Sequence, residues 1–417
     1  MNLARKPNEE AGTISGLKIA ILWKNDYPWD VRIEKIAHAL RDAGHQVHIL
    51  CANRKRLARE ETIAGVRIVR LPAVRSRLLN SIVSLPFHFN PFWLWSASRV
   101  LRRERVDLLI LRDVPLASVA LTLKRWFGIP LVLDMAENYP AMYRDRADKG
   151  GWNALVSWVV KNPPLISLIE RMAVRASAHV FVVVEESALR LVAEGADATK
   201  ISIVSNTPDI DQFDSYSARE RGRPLQLVYA GLIQERGMDL VVKALRQLRQ
   251  EDIHARFLVI GDGAYLPRLK ALTTELGMDD AVTFTGWVDN RAIPRHVADS
   301  DIGVIPHKRN PHSDTTIPNK LFDYMACGRA VIVSDAAPLK RIVEEENCGL
   351  VFTAGSVESL AATVRRMAAD RAMVEEMGRR GLAAVQRRYH WRYDAGRVVW
   401  IVGHVSKRAG VDKEIQD

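Results

Sequence analysis

Two series of unbroken apolar runs, each run followed by a stretch of helical period, constrain this chain more than any other feature. In the first half the runs are "LKIAILW" (17–23), "QVHILC" (46–51), "VRIVRL" (66–71), "DLLIL" (107–111), "IPLVLD" (129–134) and "AHVFVVV" (178–184). In the second they are "LQLVYAG" (225–231), "ARFLVIGDG" (255–263), "AVTFTG" (281–286), "DIGVIP" (301–306) and "RAVIVS" (329–334). A strand that is apolar at every position is buried on both faces, and strands spaced by helices join in parallel. The intervening "VRIEKIAHALRDAG" (31–44) shows the helical side of the pattern, with Gly44 where a helix C-cap belongs. The expected fold is α/β: two doubly wound parallel-sheet domains facing each other across a cleft. Open sheets of this kind bind ligands beyond the carboxyl ends of their strands, so the residues of interest should stand there.

The alternation breaks at "SNTPDIDQFDSYSARERGRP" (205–224), a polar, proline-bearing stretch. A chain of 417 residues exceeds what one core usually serves, which agrees with a division there. The expected layout is a flexible tail over 1–16, a first domain over 17–208, a linker over 209–224 and a second domain over 225–388. A terminal helix over 389–417 follows, carried by "YHWRYDAGRVVWIVGHV" (389–405).

The formal charge of +11 comes with basic clusters at 53–59, 75–77 and 99–105. Such clusters suit a solvated surface, an anionic membrane face or phosphate-bearing ligands. No nucleic-acid module accompanies them, so nucleic acid is not an expected partner. The first sixteen residues lack an apolar h-region and do not read as a secretory signal. Cys51, Cys327 and Cys348 show no metal-ligand spacing and leave an odd one over, as in reduced thiols of a cytoplasmic protein. The stretch 81–105 holds "SIVSLPFHFNPFWLWSA" followed by Arg99, Arg102 and Arg103. It is too short and proline-broken to span a bilayer. Two readings remain: a segment lying at the inner membrane face, with Trp93 and Trp95 at headgroup level, or a buried crossover helix.

In the second half, three stretches at strand ends carry chemistry. "YAGLIQERGMDLVVKAL" (229–245) ends a strand on Gly231 and brings Arg236 to a helix start, whose open N–H groups and positive dipole end suit a phosphate. Arg236 adds a cation able to hold two phosphate oxygens. "VIGDGAYLPRL" (259–269) repeats the turn with Gly261 and Gly263. In "PNKLFDYMACGRAVIVSD" (318–335) Pro318 suits a helix first turn, and Asn319, Lys320, Leu321, Asp323 and Tyr324 follow. A lysine at a helix N-terminus is locally unfavourable unless an anion is held there. A charge pair about 4 Å apart is worth roughly 4 kcal/mol at intermediate dielectric, enough to reverse that sign. Asp323 is a strong acceptor for paired ribose hydroxyls, and Tyr324 is left for packing or orientation. An intrahelical Lys320–Asp323 pair is the plain alternative.

In this order the three stretches resemble the retaining glycosyltransferases of the GT-B fold, family 4, built from two Rossmann-like domains. The resemblance takes in "IVSNTPDIDQF" (203–213) and "FTGWVDNRAIPRHVADSDIGVIPH" (284–307) and covers almost the whole chain. It implies a nucleotide-diphosphate sugar as co-substrate, UDP-linked ahead of GDP-mannose, with no further cofactor. It implies donor contacts from Gly231, Arg236, Gly261, Gly263, Asn319, Lys320, Leu321 and Asp323, the last at the ribose and Arg236 at the diphosphate. A terminal helix crossing back to the first domain is also implied. Three positions depart from the family pattern: Asp323 replaces a glutamate, Thr315 stands where many members carry another acid, and Leu232 replaces an arginine.

The first half is then the acceptor side. Asp26 and Asp30 in "WKNDYPWDVRIEK" (23–35) and Asp113 in "LRDVP" (111–115) are candidates for sugar hydroxyls, with helix capping as the alternative. In "LDMAENYP" (133–140) the family's histidine slot is Ala136, flanked by Asp134 and Glu137, and Glu137 is the expected substitute. Arg236, Lys320 and Glu137 thus form the expected catalytic set. The family's same-face transfer needs positioning and charge stabilisation on the leaving diphosphate rather than a metal. "DSD" (299–301) imitates a metal motif but leads into a strand. The acceptor is expected to be lipid-linked or a saccharide, in cell-envelope polysaccharide or glycolipid synthesis. A nucleotide-sugar epimerase of the same fold and a non-catalytic nucleotide-binding relative are the alternatives; a dinucleotide oxidoreductase lacks its G-x-G-x-x-G.

Overall fold

The computed structural model describes residues 16–28, 30–73, 76, 90–144, 162–213, 224–289 and 291–414. Most of the expected tail, most of the linker and the first part of the 81–105 stretch lie outside them. The chain forms two compact units, Met1–Ser205 with Asp394–Asp417, and Asn206–Tyr393. The division falls at Ser205, a few residues ahead of the stretch 209–224.

The first unit runs β1 (Lys18–Asp26), α1 (Val31–Asp42), β2 (Gln46–Ala52), β3 (Glu60–Ile63), β4 (Val66–Arg70), α2 (Pro91–Glu104), β5 (Leu108–Arg112) and α3 (Ala117–Phe127). It continues with β6 (Leu131–Met135), α4 (Tyr139–Arg144), α5 (Pro163–Ala176), β7 (His179–Val182), α6 (Glu185–Ala193) and β8 (Ile201–Ile203). The strand order is β3-β4-β2-β1-β5-β6-β7-β8, parallel except for β3, which pairs antiparallel with β4. The apolar runs pick out the inner strands because every residue of β5 and β6 is buried. They miss β3, a four-residue strand opened by Glu60 and Glu61, as suits a charged sheet edge.

The helix α1 forms as its sequence suggests. Asp30 caps it by accepting from the Ile33 N–H at 3.0 Å, and Ile33, Ile36, Ala37 and Leu40 face the sheet. Gly44 follows in the left-handed region (φ +88°), with its N–H on the Arg41 carbonyl. In α2, Trp93, Ala97, Val100 and Leu101 join the core, while Phe92 and Trp95 are exposed. Of the two tryptophans expected at an interface, Trp93 is therefore a core residue. Trp95 is flanked by the guanidinium groups of Arg59 and Arg99, 5.9 and 5.8 Å from its ring centroid. No helix among the described residues is long and apolar enough to cross a membrane.

The second unit runs β9 (Leu225–Ala230), α7 (Met238–Gln250), β10 (Ala255–Ile260), α8 (Leu266–Glu275), β11 (Val282–Gly286), α9 (Ile293–Ala298) and β12 (Ile302–Ile305). Then come α10 (Asn319–Ala326), β13 (Ala330–Ser334), α11 (Ala337–Glu346), β14 (Gly349–Phe352), α12 (Val357–Ala369) and α13 (Arg371–Arg387). The last helix, α14 (Trp391–Glu414), starts in this unit, and its residues from Asp394 onward group with the first. All strands are parallel, in the order β11-β10-β9-β12-β13-β14. The order reverses between β9 and β12, and that switch point is where such a sheet opens a crevice. Asp301 of the "DSD" stretch accepts from the Gln226 N–H at 2.7 Å and pairs with Arg371 at 3.4 Å, so it ties β12 to the start of β9.

Candidate functional site

The carboxyl ends of β9 and β12 bring the second-half motifs together. Tyr229, the penultimate residue of β9, is fully buried, and its hydroxyl donates to the Leu232 carbonyl at 3.1 Å. The Lys320 ammonium donates to that same hydroxyl at 3.1 Å and lies 4.3 Å from the ring centroid. Gly231, at φ +131°, provides the room: a Cβ there would stand 3.4 Å from Lys320 Nζ. Tyr324 serves packing and orientation, as expected of it. Its ring fills the space that a side chain on Gly303 would need, and its hydroxyl accepts from the Ala230 N–H at 2.9 Å.

The glycine turns bind the strand-end loops to one another. A Cβ on Gly261 would stand 2.1 Å from the Gly231 carbonyl oxygen, and one on Gly263 would stand 2.2 Å from that of Ile233. Ile233 N–H meets the Asp262 carbonyl at 2.9 Å, and Gly231 N–H meets that of Ile260 at 2.9 Å. These glycines therefore permit backbone-to-backbone approach first of all. Beyond them, at the end of β11, Trp287 is 76% exposed, unusual for so large an apolar ring.

Arg236 is exposed and directly precedes Gly237, whose left-handed backbone opens α7. Its guanidinium and the Lys320 ammonium act on one imidazole, that of His307, just past β12. His307 is 8% exposed, and its Nε2 is buried with no hydrogen-bond partner. Burial, then Lys320 and Arg236, hold its pKa well below the usual histidine value. Pro318 stands at the N-cap of α10 rather than in its first turn, so Asn319 is the first helical residue, exposed, and Lys320 the second. Leu321 is a core residue, and Asp323 is half-buried one turn deeper. Lys320, the open N-terminus of α10 and the Gly231 turn thus meet at the switch point, with Arg236 on the loop that follows β9, an arrangement suited to an anion.

The first-unit candidates fare differently. Asp134 is fully buried beneath Arg32, whose Nη2 and Nε reach it at 2.6 and 3.0 Å, and Arg112 lies 3.5 Å away. That ion pair makes Asp134 a structural residue, not the open acceptor of sugar hydroxyls that its strand-end position suggests. Asp26 accepts from the Arg54 and Lys55 N–H groups at 2.9 and 2.7 Å, clamping the loop after β2, and Asp30 is the cap of α1.

Asp113 is held in a positive-φ conformation (φ +63°, ψ +169°), a region that nearly always needs glycine. Its carboxylate accepts from the Ala136 N–H at 3.1 Å and the Tyr139 hydroxyl at 3.2 Å, and pairs with Arg112 at 2.6 Å. Lys24 also donates to the Tyr139 hydroxyl. Asp113 therefore shapes the loop that carries half-buried Glu137.

Two residues escape a reading of sequence alone, Tyr229 and His307. The signal for His307 was its place directly after a buried strand and proline; the signal for Tyr229 was a phenol inside an otherwise aliphatic strand.

Comparison with known proteins bears on the whole chain. Residues 30–207 match the model for the "Glycosyl transferase 4-like domain", and residues 224–370 match that for "Glycosyl transferases group 1". The 2-deoxystreptamine glucosyltransferase of Streptomyces kanamyceticus is 26% identical over 82% of this chain and 90% of its own length. A GDP-mannose-dependent alpha-(1-6)-phosphatidylinositol monomannoside mannosyltransferase of Mycobacterium tuberculosis is 30% identical over 40% of this chain and 44% of its own. Sucrose-phosphate synthase from Thermosynechococcus elongatus shares the fold at a TM-score of 0.76 and 17% identity, covering 95% of this chain and all of that one. Anabaena HepE in complex with UDP does so at 0.67 and 16%, covering 93% of this chain and all of that one. The two domain matches and the shared fold agree with the motifs at the strand ends: this chain belongs to the GT-B glycosyltransferases of family 4.

Proposed function

We propose that the protein transfers a hexose from a nucleotide-diphosphate sugar, UDP-linked ahead of GDP-mannose, to a lipid-linked or saccharide acceptor with retention at the anomeric carbon. The observation that carries the reading is Lys320, anchored over Tyr229 beside Gly231 at the carboxyl end of β9. A leaving diphosphate gathers charge as the glycosidic bond breaks. Fixed cations and open helix N–H groups stabilise that charge without rearranging. Asp323 takes the ribose hydroxyls, Trp287 offers its open face to the base, and Asn319 and Leu321 shape the α10 opening. In a same-face attack the departing phosphate oxygen accepts the acceptor's hydroxyl proton, so the protein's task is positioning. Glu137, on the loop that Asp113 holds, is the residue assigned to the sugar being moved. The two cations and the helix end take the place of a metal in this scheme.

Cell-envelope polysaccharide or glycolipid synthesis is the setting that the relatives' names support. They include the phosphatidylinositol mannoside enzyme and a putative colanic acid glycosyltransferase of Salmonella typhimurium. The outer face of α2, with exposed Phe92 and Trp95 beside Arg99 and Arg102, suits peripheral contact with the inner membrane surface of the cytoplasm.

Incubation with UDP-glucose, UDP-galactose and GDP-mannose, with and without a lipid extract and with a metal chelator, tests the proposal. Acceptor-dependent release of nucleotide that survives the chelator, with an axial product linkage by NMR, is the expected result. Sugar conversion without any acceptor would point to an epimerase instead, and no turnover and no binding of any donor would sink the reading.

A further inference from the structure

Among the described residues at the switch point, His307 is a titratable group to which the transfer scheme assigns no task. It stands past the carboxyl end of β12, across from the Gly231 turn, and its backbone neighbour Pro306 is packed so tightly that a Cβ on Gly237 would stand 2.0 Å from the Pro306 oxygen. That contact sets the backbone preceding His307 against Gly237, the residue that follows Arg236. Its Nε2 is buried without a hydrogen-bond partner, and such a group is costly unless a ligand or water completes it. The charged and titratable groups that bear on the ring are Lys320 from α10, Arg236 from the loop after β9 and His312 from the loop after β12. None of the three is an anion. A diphosphate drawn to Lys320 and Arg236 reverses the local sign, giving the imidazole both an acceptor and an electrostatic reason to become charged.

We propose that His307 is a donor-binding residue, whose Nε2–H donates to a diphosphate oxygen of the nucleotide sugar and whose ring takes up one solvent proton as the donor binds. The proton returns to solvent when the nucleoside diphosphate leaves, so donor affinity rises as pH falls. This inference rests on the reading that the switch point holds a nucleotide-diphosphate sugar. The low resting proton affinity of the ring fits it, because a group neutral in the empty site is free to respond when the cations are neutralised.

Calorimetric titration of UDP-glucose and GDP-mannose, repeated in buffers of different ionisation enthalpy between about pH 8 and about pH 6, counts the protons taken up. A diphosphate esterified at both ends has no group titrating near neutrality, so any uptake belongs to the protein. The wild type should take up a growing fraction of a proton as pH falls. His307→Gln should abolish the uptake and weaken binding about tenfold, as for loss of one charge-assisted hydrogen bond. His312→Gln should keep the uptake.

Zero uptake by the wild type at every pH overturns the proposal, and that measurement needs no variant to fold. Undiminished uptake in His307→Gln, or in His307→Asn should the first misfold, overturns it too. If the wild type binds neither donor, this inference falls together with the donor-site reading. If Lys320→Ala loses binding while His307→Gln matches the wild type, the donor site stands and only the role of His307 falls.

Discussion

The Lys320 ammonium lies 3.1 Å from the Tyr229 hydroxyl, which in turn donates to the Leu232 carbonyl at 3.1 Å. One phenol thus ties a lysine of α10 to the loop after β9. Tyr229→Phe keeps the ring, and with it a cation–π contact worth about 0.5–1 kcal/mol, but removes both hydrogen bonds. The fold should survive with a loss of about 1–2 kcal/mol, while kcat/KM for the donor falls about tenfold. Steady-state kinetics beside a thermal melt will separate the two, and an unchanged kcat/KM would mean that Lys320 needs no anchor.

Lys320→Ala and Arg236→Ala remove the two cations themselves. Each should lower kcat by about 10²–10³, as for loss of one fixed donor to a developing charge, with stability shifted by no more than about 1 kcal/mol. Turnover close to wild type in both variants is the outcome that contradicts the proposed chemistry.

Gly231→Ala and Gly261→Ala distinguish room for a ligand group from room for backbone. Both positions have positive φ, +131° and +129°. At Gly231 the nearest atom to an added Cβ is the movable end of Lys320, whereas at Gly261 it is a backbone oxygen at 2.1 Å. Gly231→Ala should fold with reduced donor affinity, and Gly261→Ala should lower Tm by several degrees more. Equal melting temperatures would show that the loops are looser than their packing indicates.

Arg32→Met leaves Asp134 as a buried carboxylate without its principal partner. Removing one member of such a pair costs about 3–5 kcal/mol, to be read from denaturant midpoints. A variant as stable as the wild type would show that Asp134 is not a structural ion-pair partner.

Acid should destabilise the empty protein through its buried and half-buried histidines. Burial lowers the pKa of His45 and His48, burial and then His404 lower that of His179 to about 4, and burial and then Lys320 lower that of His307. Above the unfolded value of 6.5 both states are neutral and these groups contribute nothing to the pH dependence. As pH falls from there towards about 4, the unfolded chain binds protons that the folded one refuses, so stability drops. Denaturation at a series of pH values should show this slope, shallower in His307→Gln. A stability that is flat or rising over that window contradicts it.

Much of this protein could be read along the chain. Unbroken apolar runs, helix caps such as Asp30 and stops such as Gly44 act over a few residues, so the paired α/β halves, the positions of Gly231 and Arg236 after a strand and that of Lys320 at a helix start were legible. Strand β3 was not, because four edge residues led by two glutamates carry no apolar signal.

The meaning of Asp134 and of His307 was decided elsewhere. Asp134 reads as an open carboxylate until Arg32, 102 positions away in sequence, covers it. His307 is one histidine among eleven until α10 and the loop after β9 set two cations beside it. Burial and electrostatic environment depend on groups distant along the chain, and only folding through space brings those groups together.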